Sequence, residues 1–202
     1  MRYCLIVAIV IAAFACFQSS AAQDDLVDCF HHSLAEPHSY TLAQSCAEIT
    51  DAGAVRMTRA FLDSTAFDED GLTCAVFGVG VEIPGFYWVR SDGKAVSTPN
   101  WDNMCAGFVE DLAVGIIDRH QVYIDRQLEV ALDPGFDLLG DFNRGYAKVC
   151  NGPFAIVDRG DPRRTGGRCG IINRSGDLVI DLLYPFESAP QEFKEFWDAL
   201  SD

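Results

Sequence analysis

Apolar and polar positions divide this chain into four stretches of different texture. Residues 3–17 form an unbroken apolar run behind Arg2. Residues 23–66 carry helix signals. Thr41 with Gln44 three residues on has the form of a capping box, in which each side chain satisfies a free backbone N–H at a helix start. Gly53 supplies a stop, and Pro37 separates this helix from a shorter one expected over residues 26–34. A further helical segment, residues 54–62, places Val55, Thr58 and Leu62 on one side.

From Phe67 onward short apolar runs alternate with Gly, Asp and Pro clusters, the pattern of strands and turns. The last segment, residues 188–202, returns to helical spacing. Phe193, Phe196, Trp197 and Leu200 fall at i, i+3, i+4 and i+7, Ser188 with Gln191 has capping-box spacing, and Pro190 suits a first turn. This face is expected to lid the end of the strand region, with docking of a partner helix as the alternative.

The strand region repeats itself. "WVRSDGKAVSTPNWD" (88–102) aligns with "YIDRQLEVALDPGFD" (123–137) at an offset of 35, placing Trp88 on Tyr123, Pro99 on Pro134 and Trp101 on Phe136. "IINRSGDLVIDLLYP" (171–185) aligns with the second copy at an offset of 48, placing Tyr184 on Phe136. "FVEDLAV" (108–114) matches "FNRGYAK" (142–148) in the same way. Three units follow, at about 67–102, 103–137 and 138–187. The larger second offset falls between Val149 and Cys169, so "CNGPFAIVDRGDPRRTGGRC" (150–169) contains an insertion within one copy, expected to be a long loop tethered by its two cysteines.

These units resemble the WG repeats, also called KWG repeats. "GDFNRGYAKV" (140–149), "GRCGIINRSGDLVI" (167–180), "VALDPGFD" (130–137) and "DGKAVSTPNWD" (92–102) carry the resemblance, which covers about residues 67–187. The Trp-Gly pair that names the family is absent: Phe86-Tyr87, Gln121-Val122 and Cys169-Gly170 stand in its places, and Gly170 alone is kept. The resemblance implies β-hairpin units used for binding and no catalytic residues. The fold expected is mainly β, a β-hairpin repeat array with a small helical N-terminal region (23–66) and a C-terminal capping helix (188–202). Each unit has one apolar side that only stacking can bury. The recurring aromatics Trp88, Trp101, Tyr123, Phe136, Phe142, Tyr146 and Tyr184 are therefore read first as repeated core, and second as a sugar-stacking platform.

Charge and compartment narrow the function. The chain has 15 Lys and Arg against 30 Asp and Glu, a net charge of −15. The charged start, apolar run and small residues at Ser20 and Ala22 make residues 1–22 a secretory signal peptide cleaved after Ala22. The alternative is a lipoprotein anchored at Cys16. Removing those residues takes one Arg and no acid, leaving 14 against 30, a net −16. A chain this acidic repels nucleic acid and anionic membrane surfaces, and no second run is long enough to span a membrane. The expected location is secreted or periplasmic.

Six cysteines follow the signal, an even number that in an exported chain reads as disulfides; no CxxC pair points to zinc. Six cysteines allow about 15 pairings. Placement along the chain suggests Cys150–Cys169 at the base of one hairpin, Cys74–Cys105 near the two ends of the first copy, and Cys29–Cys46 on the two neighbouring N-terminal helices.

Candidate chemistry is sparse. The 150–169 stretch carries Arg159, Arg163, Arg164 and Arg168 against Asp158 and Asp161, in a protein otherwise strongly acidic. Arginine forks suit carboxylates, sulfates and phosphates, which makes these four the candidate ligand-binding residues. "RGD" (159–161) is three common residues and is set aside. His31, His32 and His38 near Asp28 are read as exposed polar residues and not as metal ligands, and His120 beside Asp118 and Asp125 as turn residues rather than an acid–base group. No catalytic residue, metal or cofactor is expected. The function expected is that of an exported, non-enzymatic binding protein whose ligand is a protein or an envelope polysaccharide. Alternatives are a secreted or periplasmic hydrolase using acidic residues, and an inhibitor-like protein with a single partner.

Overall fold

The structure is a computed structural model that describes residues 26–49, 55–78, 85–101, 104–156 and 164–200. The signal segment with its cleavage after Ala22, the alternative anchor Cys16, Gly53, Arg159 and Arg163 lie outside the described residues.

The chain is mainly β. The first three strands are β1 (Leu26–His31), β2 (Thr41–Ile49) and β3 (Val55–Met57), followed by the helix α1 (Arg59–Ser64). Next come β4 (Leu72–Phe77), β5 (Gly85–Arg90), β6 (Ala95–Thr98), β7 (Asn100–Trp101), β8 (Met104–Cys105), β9 (Ala113–Ile117), β10 (His120–Ile124) and β11 (Val130–Leu132). The remainder is β12 (Leu138–Asn143), β13 (Tyr146–Ile156), β14 (Arg164–Asn173), β15 (Leu178–Pro185), α2 (Ala189–Glu192) and α3 (Lys194–Ala199). A nine-stranded antiparallel sheet has the order β11-β10-β9-β6-β5-β4-β1-β2-β3; a second sheet has the order β12-β13-β14-β15, and β7 pairs with β8.

The helical N-terminal region expected over 23–66 is corrected: among its described residues three strands form, with one short helix. Thr41 opens a strand and caps nothing. Thr58 is the cap, its hydroxyl accepting from Phe61 N–H at 3.3 Å. Leu, Ala, Gln and Glu in β2 are good helix formers, but propensity is a weak prior that tertiary pairing overrides. Here β2 pairs with both β1 and β3, and the Cys29–Cys46 disulfide locks β1 to β2. Val27, Cys29 and His31 point to one core at two-residue spacing, a strand signature within the first few residues. The extra β2 residues opposite Asp28 form a bulge, where Ser45 has a positive φ of 56° and its N–H donates to Asp28 Oδ1 at 2.9 Å.

Three meanders, β4–β5–β6, β9–β10–β11 and β13–β14–β15, share one turn. Gly93, Leu128 and Gly176 adopt φ of 92°, 57° and 86°, and their N–H groups donate to Arg90, Asp125 and Asn173 carbonyls. Those positions stand at the offsets of 35 and 48. In the second and third turns Asp125 and Asn173 each accept two further N–H groups on one side-chain oxygen. Leu128 holds a left-handed conformation that glycine would adopt freely, and its side chain is fully buried among Leu72, Val96 and Val122.

The two sheets meet through Val114 and Tyr123 on one side and Phe142, Val149 and Ile172 on the other. Tyr123 donates its hydroxyl to Gly140 O at 2.7 Å, Gln121 Oε1 accepts from Leu139 N–H at 2.7 Å, and the Glu110 carboxylate accepts from Gly145 N–H and from Arg174. Burial drives the Tyr123 hydroxyl pKa up, with the nearby Asp141 charge adding to it. Tyr123 and Phe142 are thus core. Trp88 is half-buried with Nε1 donating to Ala106 O at 2.8 Å. The side chain of Trp101 lies outside what is described.

The C-terminal segment packs on the second sheet, with Ala189 and Phe193 buried against the Cys150–Cys169 disulfide and Ile171, and Phe196 and Trp197 alongside. One continuous helix is corrected to two short ones hinged at Phe193, and Ser188 donates its hydroxyl to Pro185 O instead of capping. The predicted apolar face survives the break because Trp197 N–H still reaches Phe193 O.

Candidate functional site

The six cysteines form Cys29–Cys46, Cys74–Cys105 and Cys150–Cys169. The last pair joins residues directly opposite each other on β13 and β14. Beyond it the insertion departs from expectation. It is a hairpin and not a long loop: Phe154 pairs with Gly166, Ala155 with Thr165 and Ile156 with Arg164. The flanking strands do not follow, since β12 reaches only Cys150 on one side and β15 only Arg168 on the other. Residues 152–156 and 164–167 therefore make a two-stranded finger standing past the flanking strands.

The base of this finger is anchored on both sides. Gly152 N–H donates to Asp137 Oδ2 at 2.7 Å, Asp137 N–H donates to Asn151 Oδ1 at 3.1 Å, and Gly166 N–H donates to Glu187 Oε2 at 3.3 Å. Of the four candidate arginines, Arg164 opens β14 near the far end of the finger. Arg168 sits at the base, and its Nη1 donates to Leu183 O at 2.7 Å, so it fastens β14 to β15. Arg159 and Arg163 belong to the 157–163 segment between the strands, outside the described residues.

A cavity of about 320 Å³ opens where the two sheets meet. Its apolar wall includes Val114, Leu138, Leu139 and Phe186, and its polar groups include Gln121, Asp141 and Lys148. A β-bulge at Gly140-Asp141 opposite Lys148 puts both charged side chains on this lining. Burial lowers the Lys148 pKa and raises that of Asp141. The Lys148 ammonium stands 5.1 Å from the centre of the Phe186 ring. Nothing in the sequence foretold this site, whose lining is drawn from well-separated segments.

The histidines divide. His31, expected to be exposed, is 2% exposed, with Nδ1 2.9 Å from Thr65 Oγ1 and its ring against Phe61. His32 is partly buried and faces the Tyr40 ring at 4.4 Å. His38 is exposed. His120 is exposed at the start of β10, 3.4 Å from Asp133, while Asp125 is spent on its turn and Asp118 sits in another. Among the described residues no group of three or more His, Cys, Asp or Glu side chains is placed to hold a metal ion.

Gly170, in the glycine place of the missing Trp-Gly pair, has a physical reason to remain. A Cβ there would come within 2.3 Å of Ile180 O, because β15 shifts register and closes on β14 at this point. The equivalent Tyr87 lies on an unshifted β5–β6 pairing and needs no such gap.

A family model described as a WG containing repeat matches residues 123–152. No curated protein and no solved structure matches the chain. The matched stretch starts on β10 of the large sheet and ends on β13 of the second, so the unit spans the junction on which the cavity opens. That match lies on one of the strand–turn–strand units whose turn recurs three times, and over residues 123–152 the chain is similar to a WG containing repeat.

Proposed function

We propose that this chain is an exported, non-enzymatic binding protein in which three WG-type units form the scaffold and the 151–168 finger makes the contact. The observation that carries the reading is the finger itself: a disulfide-based, side-anchored hairpin that extends past both flanking strands. Ordering such a projection before contact lowers the entropy cost of binding. Its sequence carries Arg159, Arg163 and Arg164 on a protein of net charge −15, which suits a carboxylate-, sulfate- or phosphate-bearing protein or envelope polysaccharide and disfavours nucleic acid. Three disulfides suit an oxidising compartment. The competing hydrolase would need a second carboxylate beside Asp141, and among the described residues the lining carries Asp141 alone.

The test is capture from an extracellular or envelope extract of the source organism on the oxidised mature protein. It is run beside a form with residues 151–168 replaced by a short Gly-Ser turn and beside Arg159→Glu/Arg163→Glu/Arg164→Glu. A partner held by the first, lost by both variants and released by salt supports the finger. The same material captured by all three forms overturns it.

A further inference from the structure

The finger leaves the junction cavity without a role, and this site carries an inference beyond the binding reading above. At about 320 Å³ the cavity falls at the lower end of small-molecule sites, which begin near about 300 Å³. Its walls are largely apolar. Lys148 is half-buried, its ammonium lies over the Phe186 ring, and among the described residues no carboxylate stands within ion-pair distance of it. A partly desolvated ammonium with an aromatic face as its neighbour is poorly compensated, and an anion brought to it recovers the loss.

We propose that the cavity binds a small amphipathic monoanion, a carboxylate with an apolar body, whose charged group meets Lys148 and whose body lies against Val114, Leu138, Leu139 and Phe186. The bulge organises the site. A Cβ on Gly140 would sit 3.2 Å from Lys148 O, so glycine lets β12 approach β13 closely where Asp141 and Lys148 share the lining. Asp141 sets the charge limit, because a carboxylate on the same lining opposes a second negative charge on the ligand. The acidic body of the protein adds to that discrimination. Monocarboxylates are selected over phosphate monoesters of the same chain length, and over the uncharged alcohol.

Calorimetric titration of the intact oxidised protein with octanoate, octyl phosphate and octanol tests this. Octanoate binds saturably at one site, the other two at least tenfold more weakly. Lys148→Met brings octanoate to the level of octanol, Lys148→Arg retains binding, and the finger-replaced form binds octanoate as the intact protein does. Backbone amide shifts on titration concentrate at residues 138–150. Circular dichroism and thermal midpoints of both Lys148 variants show that the fold is kept. The proposal is overturned if the intact protein shows no saturable octanoate binding. It is equally overturned if octanol or octyl phosphate binds as tightly as octanoate, if folded Lys148→Met binds octanoate unchanged, or if the shifted amides lie elsewhere.

Discussion

Removing the Cys150–Cys169 disulfide by the double substitution Cys150→Ala/Cys169→Ala tests the account of the finger and its base most directly. The bond closes a loop with a sequence separation of 19. In the chain-entropy model a loop of this length restricts the unfolded chain by about 3 kcal/mol at 25 °C. The cysteines also touch Phe193 and Ile171 within one buried cluster, so truncating both side chains removes a little packing on top. Against the whole, the loss is large, since domains are stable by about 5–15 kcal/mol. For a chain of this size it corresponds to a fall in Tm of roughly 6–12 °C. Urea unfolding followed by tryptophan fluorescence gives the free energy, with Trp197 close to the lost bond. Because β13 and β14 stay paired on both sides of the cysteines, the variant folds, and its m-value rises as the unfolded chain, freed of the crosslink, exposes more surface. A loss below about 1 kcal/mol would refute the reasoning, by showing that the hairpin already restrains its own ends in the unfolded chain.

Three further outcomes follow from the packing. Phe193→Ala empties a fully buried site between the C-terminal helices and the second sheet, costs about 3–5 kcal/mol, and exposes residues 189–200 to limited proteolysis before the rest unfolds. Gly170→Ala forces β15 off β14 and costs about 1–3 kcal/mol, whereas Gly107→Ala, with open space around its Cβ, changes the urea midpoint little. Burial holds the His31 pKa below its ordinary 6.5, so the unfolded chain takes up a proton that folded His31 refuses; stability therefore falls as pH drops below about 6.5. Urea midpoints at pH 7 and pH 5 show a smaller drop for His31→Gln than for the intact protein, and equal drops would refute the assignment.

Much of the strand region was legible because its rules are local. The turns at Gly93, Leu128 and Gly176 stand where the sequence alignment sets them, and their glycines and Asx side chains act within five residues. The apolar face of Phe193, Phe196 and Trp197 was equally plain, although the break at Phe193 was not. The N-terminal strands were obscured by the helix formers of Thr41–Ile49, whose conformation is settled by β1 and β3 on either side. The strands of the insertion were obscured by Gly152, Pro153, Gly166 and Gly167, poor strand residues; the ladder that starts at the disulfide shifts register there and resumes at Phe154 opposite Gly166.

Turn chemistry, the even cysteine count, the recurring unit and the acidic balance depend on residues near one another or on composition, and they can be read without knowing where distant segments meet. Which strands pair, where one sheet ends and the next begins, and which residues share a cavity depend on contacts between positions far apart in the chain. Lys148, Asp141 and Phe186 have nothing in common as a sequence pattern. They become a site when the β12 bulge and the folding of the second sheet against the first bring them onto one lining.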